Sequence, residues 1–332
     1  MKSLLLLGLL AGATPAADTP PPAEVVVVAV GDIRVGGPIG RLVKKFGVSD
    51  PVRLVKQWLK GDFLLGNLEC AITKRGDAAD KTWTFRAPEK ELAILKETGF
   101  DWLGLANNHV MDYGKVGLDD TIAALKKRGF AHTGAGVDAA SARKPLFFQK
   151  NGLTVGLLAF TTTIPKTMWA KKNRAGVSYA NFKKIPSWVA SAKKKCDILL
   201  VFFHGGTELS TEPNQVQRDF AHLAADAGAD AVIGHHPHVI QPVELRGNSI
   251  ILYSIGNFLF VSPTPGTERS VIARLHLRKS GVRAEFVPIN VNWGRLRPAS
   301  TEDREIIHKA LNGEGALVAH PDRFTIASGR PG

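Results

Sequence analysis

Cysteine is scarce in this chain: Cys70 and Cys196 are the only two in 332 residues. Two thiols cannot make the disulfide framework of a small secreted scaffold. Each lies beside a segment with strand character, so buried free thiols are expected, and spacing alone does not say whether they meet. Acidic residues are also few, 30 Asp and Glu against 43 Lys and Arg, which leaves a formal charge of +13 and a pI near 9.8. Such a balance attracts polyanions. The bases gather at Lys126-Lys127-Arg128, Lys171-Lys172, Lys183-Lys184 and Lys193-Lys194-Lys195, which read as solvated faces and ends of helices. Aromatic residues do not interleave with them, which argues against a platform for single-stranded nucleic acid. No apolar run approaches the roughly 20 residues that span a bilayer. Internal repeats and low-complexity stretches are absent as well. What remains is an ordinary globular composition, 44% hydrophobic and 22% charged, on a chain long enough for one large domain or two modest ones.

The N-terminus carries an address. Lys2 precedes an apolar run from Leu4 to Ala13, then Thr14-Pro15-Ala16-Ala17. That order matches a secretory signal over residues 1–17, with cleavage near Ala16 or Ala17. No cysteine follows the apolar run to take a lipid, and an uncleaved anchor is the alternative. Residues 18–23 form a Pro-rich linker, 24–294 the main domain, and 295–332 a partly irregular C-terminal extension. The expected location is periplasmic or extracellular, with no transmembrane segment left after cleavage. An exported chain this basic suits an anionic envelope polymer or lipid surface better than nucleic acid.

Past the linker, strands and helices alternate. Strands are predicted at Glu24–Val30, Asp62–Leu65 and Trp102–Leu105, and helices at Val52–Leu59 (Asp50 as N-cap), Pro88–Thr98 and Leu118–Lys127. Asn151-Gly152 between two apolar runs signals a hairpin of Pro145–Gln149 with Leu153–Phe160. Then come a buried-type strand at Asp197–Phe203 and an amphipathic helix at Asn214–Ala227, with Val216, Phe220, Leu223, Ala224 and Ala227 on its apolar stripe. Ala231–Ile233 follows, and later Pro242–Leu245, Ser249–Ser254, Val271–Leu277 and Arg283–Val287 as antiparallel strands. Residues after Leu311 lack periodicity and read as a loose tail. Alternation followed by strands predicts a two-sheet α/β sandwich.

The chemistry gathers where strands end, which is where open α/β sheets bind ligands. Those ends supply Asp32, Asn67 and Glu69, Asn108 and His109, His204, and finally Gly234-His235-His236-Pro237-His238. Singly, each is an ordinary turn residue, helix cap or core histidine. Pro237 is expected to press His236 into an extended conformation, so that His236 and His238 project the same way. Mixed carboxylate, amide and imidazole donors suit Mn, Fe or Zn better than Ca or Mg.

Seven motifs then occur in order: Gly31-Asp32 with Gly36-Gly37; Gly66-Asn67-Leu68-Glu69; Ala106 through Gly114; Gly134-Ala135-Gly136; His204-Gly205-Gly206-Thr207-Glu208; Gly228-Ala229-Asp230 through Val239; and Tyr253 through Phe258. Together they resemble the bacterial capsule synthesis protein CapA (poly-γ-glutamate biosynthesis) family, which is similar to the calcineurin-like metallophosphoesterases. The likeness covers about residues 24–261. It implies a metallophosphoesterase-like sandwich flanked by helices (αββα) holding one or two divalent ions. By the same resemblance Asp32, Asn67 or Glu69, Asn108, His204, His236 and His238 are metal ligands. His109 then contacts substrate as general acid or hydrogen-bond donor, Asp112 orients it, and His235 and Glu208 stand behind the ligands. Two departures follow from the comparison. Arg34 stands where the superfamily usually has a histidine ligand, and a guanidinium cannot bind a metal; it is expected instead to clamp an anionic substrate. The second motif also lacks the usual aspartate pair. The expected function is an exported metal-dependent hydrolase in the synthesis or processing of capsule or another envelope polymer, with poly-γ-glutamate and the capsule-synthesis machinery as partners. A non-catalytic polyanion-binding factor for assembly or export is the alternative, as is a secreted enzyme with an unrelated phosphoester substrate.

Overall fold

The computed structural model describes residues 23–313 and 315–329. The signal segment and all of the linker but Ala23 lie outside the described residues. The principal strands are Val25–Ile33 (β1), Phe63–Leu68 (β2), Trp102–Gly104 (β3), Ala131–Thr133 (β4), Leu146–Lys150 (β5) and Leu153–Thr161 (β6). They continue with Ile198–His204 (β7), Ala231–His235 (β8), Val243–Arg246 (β9), Ser249–Leu252 (β10), Arg269–Arg278 (β11), Gly281–Asn290 (β12) and Phe324–Ala327 (β13). The principal helices are Gly37–Phe46 (α1), Ala93–Thr98 (α2), Gly114–Arg128 (α3), Ile185–Lys193 (α4), Gln215–Asp226 (α5) and Thr301–Leu311 (α6).

Two mixed sheets result. The first runs β13-β12-β11-β1-β2-β3-β4, parallel from β1 to β4 and antiparallel beyond β1 on the other side. The second runs β9-β10-β8-β7-β6-β5, with β10, β8, β7 and β6 parallel. Alternation along β7 shows how they stack. Ile198, Leu200 and Phe202 join the core shared with the first sheet, where Phe202 meets Trp102 at a ring separation of 4.4 Å. Leu199, Val201 and Phe203 face the other way, into a second cluster with Ile185 and Val189 of α4 and Phe220 of α5. This period of two on a strand buried on both faces is why the run reads as continuously apolar. Both parallel blocks end on the same side of the sandwich, and there the ligand-type residues meet. The αββα sandwich is the fold.

Several local expectations need correcting. The helix over Val52–Leu59 is two 3₁₀ turns, Asp50–Val52 and Lys56–Leu59. Asp50 is the first residue of the first turn, after Ser49, rather than an N-cap, and its carboxylate pairs with Arg295 at 2.6 Å. On α5 the buried residues are Gln217, Phe220, Ala221 and Ala224, whereas Val216 is exposed. Asn214 and Gln217 form a capping box at its start, and Gln217 donates inward to Gln241 at 2.7 Å. The tail after Leu311 is not loose throughout: β13 pairs with the edge strand β12 and buries Phe324 and Ile326. Four residues are too few for periodicity to be visible. The Asn151-Gly152 hairpin forms as expected, both residues at positive φ. Both thiols are free; burial pushes Cys70 up to about 12 and Cys196 to about 11. Among the described residues no helix is long and apolar enough to cross a membrane.

Candidate metal centre

The centre starts from a break in β1. Its register against β2 shifts between Val30 and Asp32, so Gly31 sits in a bulge. A Cβ at Gly31 would lie 2.1 Å from the Gly256 carbonyl oxygen, which excludes any other residue. The bulge turns Asp32 inward, fully buried. Asn67 Nδ2 donates to Asp32 Oδ1 at 2.8 Å and lies 3.1 Å from His204 Nδ1. Asn107 in turn donates to Asn67 Oδ1 at 3.0 Å and to the Leu68 carbonyl at 2.8 Å. Its own oxygen accepts the N–H groups of His109 and Val110, which fixes the turn carrying Asn108 and His109. Gly134 lets that turn pass closely, since a Cβ there would meet the Ala106 nitrogen at 2.6 Å.

The second sheet brings the imidazoles. His204 ends β7 and is paired in register with His235 at the end of β8. The next histidines are not extended, contrary to the expectation from Pro237: His236 has φ 100° and His238 φ 59°. Such conformations in non-glycine residues cost about 1–3 kcal/mol each and persist only where surroundings enforce them. Here the His236 N–H donates to Asp32 Oδ2 at 3.2 Å, and His238 Nδ1 lies 2.9 Å from Asn257 Oδ1 and 3.2 Å from Asp32 Oδ2. The turn splays the rings to 6.2 Å between centroids, so each addresses a different part of the site.

Glu69 is the centre of that arrangement. It is fully buried, and neither carboxylate oxygen has a hydrogen-bond donor. Around its Oε1 stand His204 Nε2 at 3.4 Å, His238 Nε2 at 3.9 Å and His109 Nε2 at 4.0 Å. Two overlapping groups share it, Glu69–His204–His236 and Asp32–Glu69–His238, with the donor atoms of each within 4.8 Å of one another. Asn108 Oδ1 enters the same space, 2.8 Å from His204 Nε2. Burial and the charge of Asp32 hold Glu69 well above the ordinary carboxylate range. Burial works against Asp32 too, but hydrogen bonds and charge from His235 and His238 hold it well below. Burial and the neighbouring His236 keep His204 well below the usual imidazole value, and burial with the charge of His238 brings His236 down to about 3. For His238 burial is outweighed by Glu69 and Asp32, and it rises to about 9. Two neutral imidazoles, His204 and His236, with His238 once it has lost its proton, stand around an orphaned carboxyl group; this donor set fits a borderline divalent cation, which would give the Glu69 oxygens the partner the protein withholds.

One wall of the centre holds His109. His109 Nδ1 lies 2.7 Å from Asp112 Oδ2 and 3.2 Å from Lys81 Nζ, and Nε2 faces the site. Lys81, absent from the sequence reading, lies 2.5 Å from Asp112 Oδ1 and donates to the Asn108 carbonyl at 2.7 Å. Burial is the main reason His109 lies below the ordinary imidazole value; Asp112 opposes it and Lys81 adds to it. Phe85 stacks on His109 at 4.0 Å and carries the Arg34 guanidinium 3.8 Å from its ring centre. Arg34 is thus half-buried at the rim, outside the donor groups. His235 lies 3.1 Å from Asp32 Oδ1, behind the site, stacked on Phe202 at 5.7 Å. Glu208 is exposed on the loop after β7, and its charge adds to the elevation of Glu69. Of the missed residues, Asn107 and Asn257 stood inside quoted motifs; Lys81 and Phe85 lie in an irregular loop with no local signal.

Residues 26–262 match the model of the family described as bacterial capsule synthesis protein PGA_cap. The PGA biosynthesis protein CapA of Bacillus subtilis is 35% identical over 278 residues, 82% of this chain and 73% of that protein. The capsule biosynthesis protein CapA of Bacillus anthracis is 32% identical over 313 residues, covering 90% and 76%. Among solved structures, the NAD nucleotidase of Haemophilus influenzae is 11% identical with a TM-score of 0.49, over 90% of this chain and 64% of that one. A phosphatase from Mycoplasma pneumoniae gives 13% and 0.46, over 93% and 96%. The family match spans every strand end that supplies the centre, from Asp32 to Asn257, and the chain belongs to the bacterial capsule synthesis protein PGA_cap family.

Proposed function

We propose that this protein is an exported metal-dependent hydrolase of the metallophosphoesterase type, acting on an anionic envelope polymer of the poly-γ-glutamate kind or on a phosphoester made during its synthesis. One observation carries the reading: a fully buried carboxylate, Glu69, without a hydrogen-bond donor and ringed by imidazole nitrogens at 3.4–4.0 Å. A buried acceptor left unpaired is costly, and a catalytic ion is what such a set serves. Asp32, Glu69, Asn108, His204, His236 and His238 would hold Mn, Fe or Zn, which supplies Lewis acidity and a water made acidic near neutral pH. His109 presents Nε2 to the reacting group, neutral at rest because burial lowers its pKa. Asp112 then stabilises the imidazolium whenever Nε2 carries a proton on its way to the leaving group. Arg34, backed by Phe85, clamps an anionic oxygen of the substrate. The relatives named for capsule and PGA biosynthesis support the polymer as substrate class.

The test is metal analysis of the purified mature protein, with turnover of bis-p-nitrophenyl phosphate and shortening of poly-γ-glutamate as readouts. About one to two ions per chain and turnover abolished by chelation are expected. A metal-free protein that turns over neither substrate refutes the hydrolase and leaves the non-catalytic polymer-binding factor, to which the missing histidine at Arg34 would then point. N-terminal sequencing of that preparation should begin just after Ala16 or Ala17; intact Met1 from a cytosolic fraction refutes export.

A further inference from the structure

A surface track leads away from the metal centre, and nothing in the reaction outlined above uses it. Phe260 lies 4.6 Å from His238, ring centre to ring centre, and its other surroundings form a cleft of about 260 Å³ with Thr267, Asn292, Trp293 and Arg297. Asn292 and Arg297 also line a second cleft of about 240 Å³, whose far side carries Arg53 and Arg295. The two clefts therefore meet at Asn292 and Arg297. Trp293 stands beside that junction, 66% exposed. Its exposure is built in: Asn292, Trp293 and Gly294 have φ of 41°, 54° and 90°, three left-handed residues in succession. A bulky residue in that region is a strained outlier. The turn is pinned on both sides, by the Asn292 N–H on Asn290 Oδ1 at 2.9 Å and the Leu296 N–H on the Pro51 carbonyl at 2.8 Å.

The charge along the track is one-sided. Glu268 is occupied by the Gly266 N–H at 2.7 Å and by Arg269 at 3.2 Å, and Asp50 by Arg295 at 2.6 Å. Arg297 and Arg53 are exposed, and among the described residues neither has an acidic group within ion-pair distance. A small phosphoester would have no use for two consecutive clefts with free guanidinium groups. A linear chain carrying a carboxylate on each unit would: the Arg forks take carboxylates bidentately, and an indole face packs against amide planes and methylene groups.

We propose that the two clefts form one binding track for several units of a linear polycarboxylate with amide linkages, running from His238 past Trp293 to Arg297 and Arg53. That the track feeds a reacting centre rests on the hydrolase reading; the binding does not. The experiment measures affinity of the mature protein for a fluorescently labelled γ-glutamate oligomer of about ten units at about 0.15 M salt, where contacts beyond about 8 Å are screened. The variants are Trp293→Ala, the exposed pair Arg53→Ala with Arg297→Ala, and, as a charge-matched control beyond α4, Lys194→Ala with Lys195→Ala. Trp293→Ala and the arginine pair should each weaken binding about tenfold or more, as central aromatic and Arg contacts do. Metal content and turnover of bis-p-nitrophenyl phosphate should stay at the wild-type level. Wild-type protein that does not bind the oligomer overturns the proposal, as does unchanged affinity in both track variants or an equal loss in the lysine control. Tighter binding of a neutral glucan oligomer than of the γ-glutamate oligomer, lost in Trp293→Ala alone, would assign the clefts to sugar and also overturn it. If the wild type neither holds metal nor turns over the diester while the track variants still weaken the oligomer, the hydrolase fails and the track stands.

Discussion

Glu69→Gln is the substitution that most directly tests the metal centre, because it keeps the shape and removes only the charge. In the metal-free protein this carboxyl is buried beside Asp32 with no donor of its own, and its pKa is raised. The folded state therefore holds the proton more tightly than the unfolded chain does. Stability from that preference is fully present below the unfolded value near 4.5 and is lost as pH rises through the folded value. Glutamine imitates the protonated form at every pH. With metal chelated, the two proteins should melt together at the acid end, and the variant should gain as pH rises. An unpaired buried group costs about 1–3 kcal/mol, more when ionised. At about 2–4 °C per kcal/mol for a domain of this order of size, the variant should melt roughly 2–12 °C higher at pH 8. Adding Mn or Zn should reverse the order, since the wild type gains RT ln(1 + [L]/Kd) on binding and the variant does not. Differential scanning fluorimetry at several pH values, with chelator and with metal, reads both effects. A variant that keeps the wild-type metal-induced shift, or that melts lower than wild type in chelator at pH 8, would refute the assignment of Glu69.

His109→Ala should keep its metal and lose about 10²–10⁴ in turnover, the usual worth of a general acid or base, whereas His236→Ala should lose metal; a fully active His109→Ala removes the proton-transfer role. Removing Lys81 as Lys81→Met takes a cation away from His109, whose pKa that cation depresses, so the acid limb of the pH–rate profile should move to higher pH; an unmoved limb shows that Lys81 only packs. Metal uptake at pH 7 should release protons, because His238 stands near 9 before the ion arrives and does not bind metal while protonated. Affinity should accordingly rise between pH 7 and 9; a pH-stat titration with no proton release contradicts that charge state.

Much of the architecture was legible because it rests on local rules. The β-branched run before Gly31-Asp32, the apolar stretch before His204 and the Asn151-Gly152 turn each announce their element through side-chain stereochemistry, which the neighbours in sequence decide. The ligand types at strand ends were legible for the same reason, since each follows its strand directly. Tertiary structure decided the rest. Glu69 is shared by both donor groups only because β1 and β7, far apart in sequence, deliver Asp32 and His204 to its two sides and leave it no donor. Pro237 argued for extended histidines, yet the pull of Asp32 on the His236 amide imposes a left-handed turn that local propensity opposes. Lys81 has no pattern around it and matters because a loop folds it onto Asp112. Elements with a strong local signal are set by interactions within a few residues, and sequence alone determined those, but not the two 3₁₀ turns between Asp50 and Leu59 or the strand Phe324–Ala327. Charge state, strain and donor geometry depend on what stands opposite across the sandwich, and that only the folded chain decided.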